Sequence, residues 1–288
     1  MMRLRASTDA WELRHGIYQK VMRDVRCDTL IADPPFSEKT HSGQRHGRKD
    51  PAYTAEDRPI LSSRGLSFEH WTPEDVVEFC DFFHPRTRGW FCALTSHDLY
   101  PVYRERLEHY NRYVFHPIPC TQKYRNVRLG GDGPASWTDW LVVARPRNAE
   151  FIREECRALP GDYTGPAFDA GATNIRGDRM PGGKPIWMMR AIARDYSLPG
   201  QRICDPTAGE GTTLLAAIVE KRTAIGSEMR LETYNDAVAR LESGYTPAIF
   251  ELDPETHAAA DARLQRGYTP ALQFEAAPKA TQNDLFED

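Results

Sequence analysis

Two hydrophobic periodicities alternate along the chain. Short apolar runs bounded by charge, proline or glycine occur at 11–15, 29–32, 89–95, 113–119, 139–145, 202–205 and 223–228. Runs of that length between turn formers read as strands. Between them the apolar spacing becomes helical: Ile17, Val21 and Val25; Val76, Val77, Phe79 and Phe83; 101–110; Ile186, Met189 and Ile192; and 214–221. Thr72-Pro73-Glu74-Asp75 is a helix start, with Thr72 as cap and Pro73 in the first turn, and Pro85 closes that helix. Strands alternating with helices predict an α/β fold with a doubly wound, mostly parallel sheet. Segments 37–65, 123–138 and 146–183 follow neither period and read as surface loops or insertions.

Composition adjusts this picture little. With 40% hydrophobic and 27% charged residues over 288 positions, the chain can bury a sizeable core in one large domain or two small ones. No apolar stretch reaches bilayer length and the first residues lack a secretory core, so a cytoplasmic protein without a membrane segment is expected. The six cysteines are scattered without zinc or redox spacing, and are read as reduced, mostly buried thiols with no metal site. A formal net charge of −4 means that any nucleic-acid contact rests on local patches.

Two stretches carry chemistry. The run 29–32 stops at Asp33-Pro34-Pro35-Phe36, where a carboxylate, backbone carbonyls and an aromatic ring are held by two prolines. A rigid turn at the carboxyl end of a central strand is where open α/β sheets bind ligands. This set suits a planar group bearing an amino substituent, although a strand-ending turn with Asp33 capping local amides has the same composition.

The second stretch is Asp205-Pro206-Thr207-Ala208-Gly209-Glu210-Gly211-Thr212-Thr213, between an apolar run and a helix. Its glycines allow close backbone approach, and the helix start exposes free N–H groups. Glu228 ends the next strand, about 20 residues on, where an acid accepts from both hydroxyls of a ribose. Leu214 stands where a dinucleotide fingerprint has its third glycine, and no Lys-Ser or Lys-Thr follows, so the ligand has a ribose but need not have a pyrophosphate.

Together these motifs resemble the S-adenosylmethionine-dependent amino-methyltransferases of DNA. Asp33, Pro34, Pro35 and Phe36 match the family's catalytic tetrapeptide. Lys184 and Pro185 with the helix after them, the loop Asp205, Pro206, Thr207, Ala208, Gly209, Gly211, Thr212 and Thr213, and Glu228 match its cofactor-binding half. The catalytic half comes first, as in the permuted class called beta. The resemblance, over about residues 10–243, implies a circularly permuted Rossmann-like methyltransferase sheet, S-adenosyl-L-methionine as cofactor and DNA as partner.

The resemblance further implies transfer to adenine N6 in a flipped-out base, because resembling cytosine-N4 enzymes more often have Ser where Asp33 stands. The alternatives are cytosine N4, an RNA substrate, or a catalytically silent nucleic-acid-binding protein. Departures occur at Thr207, Glu210 and Phe36, and His15-Gly16-Ile17 replaces the family's Gly-Asp strand end, which puts a cofactor contact there in doubt.

The expected layout is a catalytic domain over 1–243, with a catalytic half at 29–145, a short target-recognition insertion at 146–183 and a cofactor half at 184–243. Residues 244–288 form an appendage and acidic tail. Gly244-Tyr245-Thr246-Pro247-Ala248 recurs as Gly267-Tyr268-Thr269-Pro270-Ala271, a short tandem duplication that suits packing or a homodimer contact. Lys39, Arg45, Arg48 and Lys49, with Arg125 and Arg128, are the candidate phosphate contacts.

Overall fold

The computed structural model describes residues 4–38, 40, 70–123, 136–167 and 183–243. The candidate DNA contacts Lys39, Arg45, Arg48, Lys49, Arg125 and Arg128 lie outside these residues, as do the long polar loop beyond Thr40 and the duplicated segment from Gly244 onward.

The strands are β1 (Arg5–Ser7), β2 (Trp11–His15), β3 (Thr29–Ala32), β4 (Phe91–Thr95), β5 (Arg112–Val114), β6 (Ile118–Lys123), β7 (Thr138–Pro146), β8 (Tyr163–Pro166), β9 (Arg202–Asp205) and β10 (Thr223–Glu228). The helices are α1 (Tyr18–Val21), α2 (Pro73–Phe83), α3 (Tyr100–His109), α4 (Ala149–Glu155), α5 (Ile186–Asp195), α6 (Thr212–Val219) and α7 (Leu231–Glu242). One sheet runs β1-β2-β10-β9-β3-β4-β7-β6-β8, with β5 also on β7. The central strands β2, β10, β9, β3 and β4 are mutually parallel, as the strand–helix alternation predicts. Beyond β4 the pairing turns antiparallel, through β7 to β6.

Strand alternation builds a core on each face. Ile31, Cys92 and Leu141 point to the face covered by α5 and α6, with Met188, Ile192 and Leu214. Leu30, Ala32, Phe91 and Val142 point to the other, against Phe79, Phe83, Tyr103 and Leu107 of α2 and α3. Thr72 and Asp75 close a reciprocal capping box on α2, each accepting from the other's backbone amide, so that helix starts where its sequence directs.

Three expectations change. The helix carrying Ile17, Val21 and Val25 is one turn, α1; Val21 and Val25 are buried while Ile17 is exposed. The strand expected at 113–119 is two, β5 and β6, both on β7, because the chain leaves the ladder at His116-Pro117, where proline has no N–H to give. Within 146–183, Asn148 caps α4, whose Phe151 enters the core, and β8 extends the sheet beside β6, so this segment helps build the fold rather than only looping over it. Its periodicity was invisible because a seven-residue helix and a four-residue edge strand are too short to show one.

Candidate active site

A cleft of about 310 Å³ opens at the carboxyl ends of β2, β3, β9 and β10. This is the crevice where a parallel sheet leaves room for a ligand. Each strand end supplies part of the wall: Gly16 and Ile17 after β2, Asp33 to Phe36 after β3, Asp205 to Glu210 with Thr212 and Thr213 after β9, and Glu228 to Arg230 after β10. The two stretches that carry chemistry in the sequence therefore face one cavity.

The β9 loop is tied down from below. The Ala208 amide donates to the Ser227 carbonyl at 3.0 Å, and the Ser227 hydroxyl donates to the Pro206 carbonyl at 2.8 Å. Gly209 and Gly211 take positive φ, +52° and +75°, which side chains disfavour, so the loop can turn sharply into α6. Arg240 of α7 donates to the Glu210 carbonyl and the Thr212 hydroxyl, bracing the same turn. Gly211 and Pro185 do not line the cleft; they set the starts of α6 and α5.

Glu228 accepts from the Gly209 amide at 3.1 Å and the Arg230 amide at 2.7 Å, and burial pushes its carboxyl up. The Gly16 amide donates to the Glu228 carbonyl at 2.9 Å, so the departure at His15-Gly16-Ile17 still brings this strand end to the cleft. Asp205 is fully buried. Desolvation pushes its carboxyl up to about 7, opposed by hydrogen bonds from Thr213 and Thr207 and assisted by the charge of Asp33.

On the β3 side, the ammonium of Lys184 stands 2.9 Å from Asp33 Oδ1 and 3.5 Å from Asp139 Oδ2. It also lies 4.8 Å from the centroid of the Phe36 ring. Phe36 is buried, and its carbonyl accepts from the Trp71 amide at 3.0 Å, which brings Trp71 to the same wall. Sequence reasoning missed Asp139, Trp71 and Arg240. Asp139 had a signal: a carboxylate at an inward position of an apolar strand demands a partner. Trp71 and Arg240 had none, since their roles depend on how distant segments meet. Among the described residues, no cluster of His, Cys, Asp and Glu is arranged to hold a metal, and no helix is long and apolar enough to cross a membrane.

The sequence model of the DNA methylase family matches residues 158–239, which span β8 to α7 and contain the whole β9 loop and Glu228. The M1.HpyAVI–SAM complex superposes with a TM-score of 0.57 at 18% identity, covering 80% of this chain and 98% of that one. The PvuII DNA methyltransferase, cytosine-N4-specific, gives 0.58 at 12% identity, covering 91% and 94%. The fold is a Rossmann-like methyltransferase fold. No curated protein matches in sequence. The methyltransferase architecture extends well beyond the residues matched by the family model, and Asp33 to Phe36 stand at the end of its central strand.

Proposed function

We propose that this chain is a DNA methyltransferase that moves a methyl group from S-adenosyl-L-methionine to an exocyclic amino group, adenine N6 ahead of cytosine N4. The observation that carries this reading is the convergence of Asp33-Pro34-Pro35-Phe36 and the Asp205–Glu228 loop system on one cleft.

The residues fit the cofactor in kind. Glu228 offers a carboxylate for paired hydroxyls, Gly209 brings backbone to the cleft wall without a side chain, and Ile17 and Met229 give apolar surface. S-adenosylmethionine, when bound, supplies an electrophilic methyl on a sulfonium. Asp33 and the Pro34 carbonyl accept the two amino hydrogens of the target, which draws its nitrogen toward a tetrahedral shape with the lone pair exposed. Positioning of the two reactants for in-line transfer supplies most of the rate. Phe36 gives the base a face to stack on after it leaves the duplex, a step that costs a few kcal/mol. Lys39, Arg45, Arg48 and Lys49, with Arg125 and Arg128, are assigned to phosphate contact on sequence grounds.

Incubating the protein with methyl-labelled S-adenosylmethionine and either mixed-sequence duplex DNA or RNA, followed by nucleoside analysis, tests this. N6-methyladenine is the expected product. N4-methylcytosine overturns the choice of base, and label confined to RNA, or absent despite cofactor binding, overturns the function.

A further inference from the structure

Lys184 falls in the cofactor half of the sequence, yet its ammonium meets Asp33 at 2.9 Å. Its side chain is 7% exposed. A buried cation is stable only when paired and hydrogen-bonded, and Lys184 has carboxylates from two different strands around it. The second, Asp139 of β7, is itself buried and accepts from Gln122 Nε2 of β6 at 2.9 Å. A chain of contacts therefore runs from β6 through β7 and Lys184 to the end of β3. It carries the antiparallel part of the sheet to the catalytic turn.

We infer that Lys184 is a positioning residue for the reaction, holding the Asp33 carboxylate and the Phe36 ring in register for the target amino group, with Asp139 and Gln122 as its support. This rests on the methyl-transfer reading above. With Oδ1 of Asp33 held by an ammonium, the carboxylate plane is set before the base arrives. The same Nζ stands over the Phe36 ring, so one cation fixes both the acceptor and the stacking face. Charge is consistent with this role. Transfer forms the N–CH3 bond as the S–CH3 bond breaks to leave S-adenosylhomocysteine, and the amino nitrogen carries positive charge until it releases a proton to solvent; a lone ammonium nearby opposes that charge. Around Lys184 two carboxylates, Asp33 and Asp139, stand against one ammonium.

The competing role is a ligand for the carboxylate of the cofactor, and binding measurements separate the two. S-adenosylhomocysteine carries that carboxylate and 5′-methylthioadenosine lacks it. In Lys184→Met, calorimetry is expected to find both affinities within about threefold of the parent. Labelled-methyl transfer at saturating cofactor is expected to fall roughly 100-fold, the scale of a reacting group misplaced by about an ångström. Lys184→Arg should recover most of the rate. Asp139→Asn, which keeps the ammonium and the side-chain volume, should lower transfer less than Lys184→Met. In the ligand-free protein the Asp33 carboxyl-carbon resonance, assigned through Asp33→Asn, should move in Lys184→Met and return toward its place in Lys184→Arg. A loss of S-adenosylhomocysteine affinity that spares methylthioadenosine overturns the inference, as does an unmoved Asp33 resonance or unchanged turnover. If the parent protein methylates no DNA, the functional reading fails by itself, while the resonance and the two affinities still decide what Lys184 holds.

Discussion

Two neighbouring strands, β3 and β9, end in the same dipeptide, Asp-Pro, and the two aspartates differ in everything that follows. After Asp205 and Pro206 comes Thr207, whose amide turns back to Asp205 Oδ1 at 3.0 Å and whose hydroxyl also reaches it. This is an aspartate capping its own turn. After Asp33 and Pro34 comes a second proline, which has no N–H to offer. The local cap is therefore unavailable, and the Asp33 side chain meets Lys184 at the cleft instead. One proline separates an aspartate that organises its own loop from one that meets Lys184 at the cleft.

Exchanging each carboxylate for its amide tests that contrast most directly. Asp33→Asn replaces one acceptor oxygen by a donor beside the target amino group. Transfer is expected to fall by roughly 100-fold or more, the scale seen when a single preorganised polar group is removed. Affinity for S-adenosylhomocysteine, measured by calorimetry, should stay within about threefold. Near-parental turnover removes Asp33 from the chemistry and makes its loop no more than a strand end.

Asp205→Asn should act on stability instead. Burial holds the Asp205 carboxyl at about 7 in the folded chain, above its ordinary value of 3.8. The unfolded chain releases this proton near pH 4 and the folded chain near 7, so the folded state binds more protons between them. Stability from this group is fully present below pH 4, declines as pH rises through that window, and levels off above it. At 1.36 kcal/mol per unit, the decline between pH 5 and 8 is roughly 2–3 kcal/mol. Urea unfolding at the two pH values should show that decline shrink in Asp205→Asn. Parallel profiles for parent and variant contradict it.

The contrast was only half legible in the sequence. Both turns, the strands before them and Glu228 could be read because each is a local pattern: an apolar run, then residues that cannot extend it. The strands read from the sequence at 11–15 and 223–228 have the bounds observed for β2 and β10, which shows how far such patterns reach. What escaped was non-local. Nothing near Lys184 in sequence says that it faces Asp33 across the sheet, and nothing near Asp139 says which cation it meets. The segment 146–166 hid α4 and β8 because their contribution lies in single contacts, such as Phe151 against Trp90, rather than in a period.

A smaller change sharpens the separation between the two turns from beneath. Gly226 pairs with Asp205 across β10 and β9, and a β-carbon there would stand 2.9 Å from the Asp205 carbonyl oxygen, 2.9 Å from Leu214 and 3.1 Å from Ala208. Leu214 can swing aside, but the carbonyl belongs to the backbone that launches the β9 loop. Gly226→Ala must therefore lift that loop or strain the ladder, at about 1–3 kcal/mol of stability. Because the displacement falls on the β9 turn and not on β3, calorimetry should find weaker S-adenosylhomocysteine binding, while turnover at saturating cofactor stays close to the parent. If turnover instead falls as far as in Asp33→Asn with cofactor affinity intact, the two turns are mechanically one unit, and the division of labour between the two aspartates is wrong.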